Sequence, residues 1–215
     1  MEENKITRLT VQKRDLKRIN VYLDGAYAFS LYRETGAWLE VGQILPEEKI
    51  RELLETDKKN EVWIKATEFI SYKPRTVHET RRKLQNEGFD SQLIEIVINK
   101  LIKNGLLDDH EYAVQWVEER NSLKPRSKRA LECELRKKGV PEHLIQSAVE
   151  EADDFQAACE IAQKRIFRYE GLPKIEFRRK LGAYLSGKGF SFDVISEVTR
   201  QLWESIHSSA NENNE

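Results

Sequence analysis

Arginine and lysine are concentrated in three bands of this 215-residue sequence, and both side chains bind phosphate and carboxylate groups. The bands are residues 73–88, 124–138 and 174–188, with net charges of +3, +5 and +4. The intervening segments 89–123 and 139–173 each carry −4, and the whole chain sums to −1. The spacing therefore predicts a basic stripe for an anionic partner, either nucleic acid or an acidic protein surface. The alternative is a set of solvated faces balanced by acidic neighbours within the fold.

Fourteen of the basic side chains in these bands are the candidate partner-binding or DNA-binding residues. They are Lys73, Arg75, Arg81, Arg82, Lys124, Arg126, Lys128, Arg129, Arg136, Lys137, Lys138, Arg178, Arg179 and Lys180. The sequence has no zinc finger, bZIP heptad or RNP aromatic motif, so it does not indicate sequence-specific base readout. Tyr72, Trp116, Tyr169 and Tyr184 could stack on bases, but we predict that they pack in the core.

Patterns typical of enzymes are missing from the sequence. It contains neither the G-x-x-x-x-G-K-[ST] phosphate loop nor G-x-G-x-x-G, and its four histidines show no metal-ligand pairing. The aspartate pairs at 108–109 and 153–154 could suggest a hydrolytic metal site, but both lie at predicted helix junctions, where capping is the commoner role. Cys133 and Cys159 have neither disulfide nor zinc spacing. We expect a non-enzyme with no metal and no cofactor.

A small antiparallel β-hairpin unit of two or three strands is predicted for residues 1–45. Asp24 and Gly25 stand between two β-prone runs, and this dipeptide favours a tight hairpin because both positions tolerate positive φ. So small a sheet is not stable alone. It must dock elsewhere, and Trp38 and Leu39 are the candidate docking residues.

From Pro46 onward the sequence is helical and repeats about every fifty residues. The motif Lys-Pro-Arg-[Thr/Ser] occurs at 73–76 and again at 124–127, and Gly88 recurs as Gly139 and Gly189. The fold class is therefore mainly α, with tandem three-helix repeats in an elongated, curved array and the small β unit at the N-terminus. The predicted domains are 1–45 (β unit), 46–109 (helical lead-in and first module), 110–154 (second module), 155–207 (third module) and 208–215 (disordered tail).

Local signals mark the ends of the second helix in each module. Thr76 and Glu79 have the spacing of a capping box, whereas Ser127 offers the same N-cap chemistry without the matching glutamate. Gly139 and Gly189 follow the ends of the second and third copies of this helix, where glycine accepts a left-handed conformation. A polar break at 57–60 separates two apolar runs upstream.

The segment 105–113, Gly-Leu-Leu-Asp-Asp-His-Glu-Tyr-Ala, resembles the signature G-L-[LI]-[DN]-D-x-x-[FY]-A of RecX proteins. The motifs at 124–127 and 134–140 are similar to the second module of that family, and residues 22–29 to the N-terminus of its longer members. Physically, the signature is suited to a module junction: a glycine ends one helix, an aspartate caps the next, and Tyr and Ala are buried. Its structural residues are Gly105, Leu106, Asp108, Asp109, Tyr112 and Ala113.

The resemblance implies a bacterial regulator of homologous recombination and DNA repair, within the SOS response. RecX proteins bind the RecA recombinase and its filament on single-stranded DNA along the groove, and they inhibit filament extension, ATPase activity and strand exchange. The implied partners are the RecA filament and single- or double-stranded DNA. The alternative is a helical-repeat DNA-binding protein that acts independently of a recombinase. We also expect a cytoplasmic monomer. No membrane association is expected, since no apolar run approaches the length of a membrane helix.

Overall fold

The computed structural model describes residues 4–212, with side chains through His207. Three strands precede a long series of helices. The strands are β1 (Ile6–Val11), β2 (Arg18–Leu23) and β3 (Ala26–Tyr32). The helices are α1 (Glu47–Tyr72), α2 (Val77–Asn86), α3 (Ser91–Lys103), α4 (Asp109–Leu123), α5 (Lys128–Lys137), α6 (Glu142–Val149), α7 (Asp154–Gln163), α8 (Lys174–Ser186) and α9 (Phe192–Glu212). The predicted class, mainly α with tandem three-helix repeats and an N-terminal antiparallel sheet, is confirmed.

The chain divides into two compact units. The first comprises Met1–Pro74 with Thr80–Leu107, and the second comprises Arg75–Glu79 with Asp108–Glu215. The first residues of α2 therefore belong to the second unit. No helix within residues 4–212 is long and apolar enough to cross a membrane.

The sheet of the first unit is antiparallel, in the order β1-β2-β3. Asp24 and Gly25 join β2 to β3 with φ angles of +50° and +88°, so both turn positions are left-handed, as the dipeptide predicted. Leu23 pairs with Ala26 immediately beside the turn.

The apolar face of this sheet packs on α1. Its buried core consists of Ile6, Val21, Leu31, Leu39, Leu45 and Leu53. Leu39 thus docks in the core, as predicted. Trp38 lies outside this core and is 46% exposed, but its ring contacts α1, since the Lys49 ammonium lies 5.7 Å from the ring centroid.

A buried carboxylate joins the same sheet to α1. Asp57 accepts the Tyr32 backbone N–H at 2.6 Å and forms an ion pair with Arg18 at 3.1 Å. The predicted polar break at 57–60 is therefore wrong, because α1 is continuous and Asp57 faces the sheet.

Elsewhere in the first unit, α3 packs on α1, and Leu84 of α2 and Ile94 and Ile98 of α3 are fully buried.

In the second unit, α4, α5 and α6 enclose one core, and α7, α8 and α9 enclose another. Leu131, Leu135 and Ile145 are fully buried in the first of these cores. The second core is larger, and Phe177, Leu181 and Leu185 are among its fully buried side chains. The backbone of α9 continues to Glu212, into the segment 208–215 that was predicted as a disordered tail. The side chains from Ser208 onward and all of 213–215 lie outside the described residues.

Candidate anion-binding interface

The first aspartate pair caps two helices. The Asp108 Oδ1 atom accepts the backbone N–H groups of His110 at 2.8 Å and Glu111 at 3.0 Å, at the start of α4. The Asp109 Oδ1 atom accepts the Val77 N–H at 2.8 Å, at the start of α2. Each carboxylate therefore satisfies donors that a helix leaves unpaired at its N-terminus.

The second pair repeats this arrangement. Asp153 accepts the N–H groups of Phe155 and Gln156 at 2.8 and 3.1 Å, and Asp154 accepts the Lys128 N–H at 2.6 Å. The prediction of capping is confirmed for both pairs. Within residues 4–212, no group of three or more His, Cys, Asp or Glu side chains is arranged to hold a metal ion.

The remaining signature residues have structural positions. Gly105 has a φ of +67° directly after α3, and Leu106 is about half exposed. Tyr112 and Ala113 are buried on α4, and the rings of Tyr112 and Trp116 are stacked with centroids 5.9 Å apart. In the structure this motif therefore positions helices.

Several of the candidate basic residues are held in ion pairs within the protein. These are Arg81 with Glu95, Arg126 with Glu134, Arg136 with Glu132 and Glu142, Lys138 with Glu79, and Lys180 with Glu176. The Lys128 ammonium instead donates to the Glu150 carbonyl at 2.9 Å.

Arg136 shows how strongly such a pair holds its cation. Its guanidinium contacts both carboxylate oxygens of Glu142, at 2.8 and 2.7 Å. This hydrogen bonding lowers the pKa of Glu142 to about 2 and raises that of Arg136. An arginine that makes a bidentate ion pair within its own chain is less available to bind a partner.

Arg75 is half buried, and its charge helps to lower the pKa of Glu79. The remaining candidates have no carboxylate at ion-pair distance among the described residues. They are all exposed: Lys73, Arg82, Lys124, Arg129, Lys137, Arg178 and Arg179. Among the aromatic residues, the core prediction is wrong for Tyr72, whose side chain is 87% exposed, because it is the last residue of α1. Trp116, Tyr169 and Tyr184 are partly buried against the two cores.

One group of charges in the second unit, the Trp116 cluster, consists of Glu79, Trp116, Arg120, Glu134 and Lys138. The Arg120 guanidinium carbon and the Lys138 ammonium lie 4.3 and 5.3 Å from the Trp116 ring centroid. Each cation has its own carboxylate: Arg120 pairs with Glu134 at 2.8 Å and Lys138 with Glu79 at 2.8 Å. The Trp116 indole N–H also donates to Glu134 at 2.9 Å.

Backbone contacts hold the Lys138–Glu79 pair in place. The Thr76 hydroxyl accepts the Glu79 N–H at 3.1 Å and the Glu79 carboxylate accepts the Thr76 N–H at 3.4 Å, so the predicted capping box is formed. The same hydroxyl donates to the Lys138 carbonyl at 2.7 Å. The backbone at Gly139 approaches His78 so closely that a Cβ atom at this position would collide with the His78 side chain. The approach is possible because the residue is glycine. Burial raises the pKa of Glu79, but the hydrogen bond and charge of Lys138 outweigh it, and the net pKa is lowered.

A second group, the Tyr184 cluster, consists of Lys124, Arg126, Arg165, Tyr184 and Lys188. The Arg165 guanidinium carbon lies 4.2 Å from the Tyr184 ring centroid, and the Lys188 ammonium lies 5.5 Å from it. Arg126 has a distant contact with Glu134, at 3.9 Å. Among the described residues, Lys124, Arg165 and Lys188 have no carboxylate at ion-pair distance.

The cations of the Tyr184 cluster act on one another. Burial lowers the pKa of Lys188, and the charges of Arg126, Arg165 and Lys124 lower it further. The close approach again depends on glycine, because a Cβ atom at Gly189 would lie 2.6 Å from the Ser127 Oγ atom.

The two clusters are related by the sequence repeat. A shift of 50 carries Lys138 to Lys188 and Gly139 to Gly189, and a shift of 45 along α4 and α7 carries Arg120 to Arg165. The two carboxylates do not persist. Glu79 corresponds to Ala130, at a shift of 51, and Glu134 corresponds to Tyr184, at a shift of 50.

Sequence reasoning did not include Arg120, Arg165 or Lys188 among the candidates. Arg120 and Arg165 lie in the acidic segments between the bands, so band charge hid them. The signal that could have found them is the register of the repeat, which aligns each with its counterpart.

Comparison with known proteins agrees with this architecture. Four family models match: the regulatory protein RecX N-terminal domain over residues 4–45 and the first, second and third RecX three-helix domains over 63–101, 108–149 and 151–199. The matched ranges cover parts of both units.

Relatives and solved structures share between 26% and 30% sequence identity with this chain. Regulatory protein RecX of Clostridium acetobutylicum is 30% identical over 212 residues, covering 94% of this chain and 98% of the relative. The Halalkalibacterium halodurans protein of the same name is 29% identical over 205 residues, covering 90% of this chain and 76% of the relative. A crystal structure of regulatory protein RecX matches with a TM-score of 0.70 and 28% identity, over 91% of this chain and 98% of that one. A crystal structure of RecX from Lactobacillus salivarius matches with a TM-score of 0.64 and 26% identity, over 68% of this chain and 97% of that one. On these matches, the chain belongs to the RecX family of regulatory proteins.

Proposed function

We propose that this protein regulates homologous recombination and DNA repair by binding the RecA recombinase and its filament on single-stranded DNA along the filament groove. Binding inhibits filament extension, ATP hydrolysis and strand exchange. The protein acts in the cytoplasm as a monomer, without metal or cofactor and without catalysis of its own. Family membership supports the regulatory role, because the relatives carry the name regulatory protein RecX.

The observation that supports an anionic partner most strongly is the incomplete neutralisation of the basic bands. Exposed cations without a carboxylate at ion-pair distance, within the part of the chain that is described, accompany the second helix of each module. Arg82 lies on α2, Arg129 on α5, and Arg178 and Arg179 on α8. A partner that supplies phosphates or carboxylates would neutralise them.

The proposed binding residues are therefore expected to contribute unequally to partner binding. Those exposed without an internal carboxylate partner contribute most: Lys73, Arg82, Lys124, Arg129, Lys137, Arg178 and Arg179. Those engaged within the chain contribute less, because a partner must compete with an existing contact: Arg75, Arg81, Arg126, Lys128, Arg136, Lys138 and Lys180.

A matched pair on α5 tests this ranking. Arg129→Gln removes an exposed cation, and Arg136→Gln removes a cation that is held by Glu132 and Glu142. Both variants change the charge by the same amount on the same helix. We expect Arg129→Gln to weaken inhibition of the recombinase more than Arg136→Gln does, and the reverse order would contradict the ranking.

The function itself is tested by the ATPase activity of RecA on single-stranded DNA. Addition of this protein below the recombinase concentration is expected to reduce the steady-state rate of ATP hydrolysis. An unchanged rate up to equimolar protein would contradict the proposal. Equal affinity for naked and RecA-coated single strands, measured in parallel, would favour the alternative of an independent helical-repeat DNA-binding protein.

A further inference from the structure

We propose that the Tyr184 cluster is a binding site for the phosphodiester backbone of a nucleic-acid strand, and that Arg165 and Lys188 are its central contacts. The inference rests on the proposed function, and it names a site and a ligand class within that function. Neither residue was among the predicted candidates: Arg165 lies in an acidic segment between the bands, and Lys188 is the last residue of the third band but was not selected.

Three segments of the chain bring the cations together. Lys124 and Arg126 lie between α4 and α5, Arg165 follows α7, and Lys188 follows α8. Gly189 lies close to Ser127. Lys188 precedes Gly189 and Arg126 precedes Ser127, so this approach brings the two cations near each other. The cluster is thus built by tertiary packing within the second unit, and it does not depend on one flexible loop.

The charges of this site are not balanced by its own residues. Arg165 and Lys188 share the Tyr184 ring, and within residues 4–207 neither has a carboxylate at ion-pair distance. Each charged group that shifts the pKa of Lys188 is a cation, and each lowers it. An anion that binds here relieves this repulsion, so its binding is favoured by the folded arrangement itself.

The Trp116 cluster shows what neutralisation of this arrangement requires. There an arginine and a lysine also share one aromatic ring, and Glu79 and Glu134 neutralise them from the same chain. At the Tyr184 cluster these two positions hold Ala130 and Tyr184, so the anion must come from a partner.

Nucleic acid is favoured over an acidic protein as that partner. Four cations converge here. Among the described residues, the one carboxylate within ion-pair distance of any of them is Glu134, 3.9 Å from Arg126, and it already pairs with Arg120 at 2.8 Å. The regularly spaced phosphates of a strand supply charge at the required density. Cations interleaved with an aromatic side chain are also typical of surfaces that bind single-stranded nucleic acid.

The test measures binding of the full chain to a fluorescein-labelled oligothymidylate by anisotropy at several salt concentrations. The variant Arg165→Gln/Lys188→Gln is compared with Lys103→Gln/Lys164→Gln, which removes two exposed lysines outside the proposed site. Loss of two phosphate contacts is expected to reduce the slope of log K against log salt by about 1.4, roughly 0.7 for each contact on a single strand. The control variant is expected to keep the wild-type slope.

A second variant distinguishes a loss of the binding site from misfolding of the protein. Ala130→Glu places a carboxylate at the position that Glu79 holds in the Trp116 cluster, three residues after the N-cap Ser127. It is expected to pair with Lys188, to weaken binding of the oligothymidylate, and to keep or raise the melting temperature.

The outcomes separate this inference from the proposed function. An unchanged salt slope in Arg165→Gln/Lys188→Gln, or no binding of the oligothymidylate by the wild type, overturns the inference whatever the recombinase assay shows. Loss of binding to the RecA filament with unchanged binding to naked strands also overturns it, since the cluster would then contact acidic protein. If Arg165→Gln/Lys188→Gln loses strand binding while the wild-type protein does not inhibit RecA, the site is supported and the proposed function is rejected.

Discussion

The Trp116 and Tyr184 clusters occupy corresponding positions in successive repeats, yet one is neutral and the other strongly positive. Both have an arginine and a lysine on one aromatic ring, and both depend on a glycine where two helices approach closely. They differ in that Glu79 and Glu134 correspond to Ala130 and Tyr184. The comparison teaches that a repeat can turn a structural ion-pair network into a candidate binding site when the side chains at two corresponding positions change.

The cores beneath the two clusters should be equivalent, and this is the largest expected effect. Leu135 and Leu185 correspond at a shift of 50, and both are fully buried. Leu135→Ala and Leu185→Ala should each reduce the free energy of unfolding by roughly 2–5 kcal/mol, because each leaves a cavity. Urea denaturation measures both, and a negligible loss in one variant would show that the two cores are not alike.

The two corresponding lysines should differ in the sign of their contribution to stability. Lys138→Met leaves the partly buried Glu79 without its partner and should cost about 1–2 kcal/mol of unfolding free energy. Lys188→Met removes a cation that is repelled by its neighbours and should leave the protein as stable as the wild type or slightly more stable. Melting temperatures of the two variants give the comparison directly, and equal losses would remove the distinction between the clusters.

Restoration of the missing carboxylate should make the Tyr184 cluster resemble the Trp116 cluster. Ala130→Glu completes a capping box with Ser127 and should stabilise the protein by about 0.5–1 kcal/mol. The matched control Ala130→Gln can cap the helix without adding charge, so the difference between the two variants isolates the pair with Lys188. Identical melting curves for both variants would show that this pair does not form.

The smallest expected effect is the acid sensitivity of the Lys138–Glu79 pair. The pKa of Glu79 is lowered from 4.5 in the folded protein, so the pair stabilises the folded state above that pH. This stability is lost as the pH falls through the lowered pKa. In Glu79→Gln the unfolding free energy should therefore fall less steeply than in the wild type below about pH 4.5. Parallel pH profiles would mean that Glu79 titrates alike in both states.

Local signals in the sequence predicted most of the fold. Asp24 with Gly25, the Thr76–Glu79 capping box and the glycine after each second helix depend on residues a few positions apart, and the structure has each of them. The continuity of α1 could not be predicted in this way, because Asp57 is buried by contacts with Arg18 and Tyr32, which are distant in sequence.

The candidate site was predictable in residue type but not in pairing. The bands identified Arg81 and Arg136, but folding brings Glu95 and Glu142 onto these two side chains. The bands also passed over Arg165, because it lies among acidic residues in sequence and meets Tyr184 only after α7 and α8 have packed. Charge composition therefore finds cations, whereas tertiary contacts decide which of them remain available to a partner.

The most direct test of the account is inhibition of RecA ATPase activity on single-stranded DNA by the Ala130→Glu variant, measured beside its melting temperature. The account predicts weaker inhibition than by the wild type, together with an equal or higher melting temperature, because an internal carboxylate replaces the anion of the partner. Undiminished inhibition by a variant whose melting temperature has risen through the new pair would contradict the central claim that the uncompensated Tyr184 cluster binds the filament.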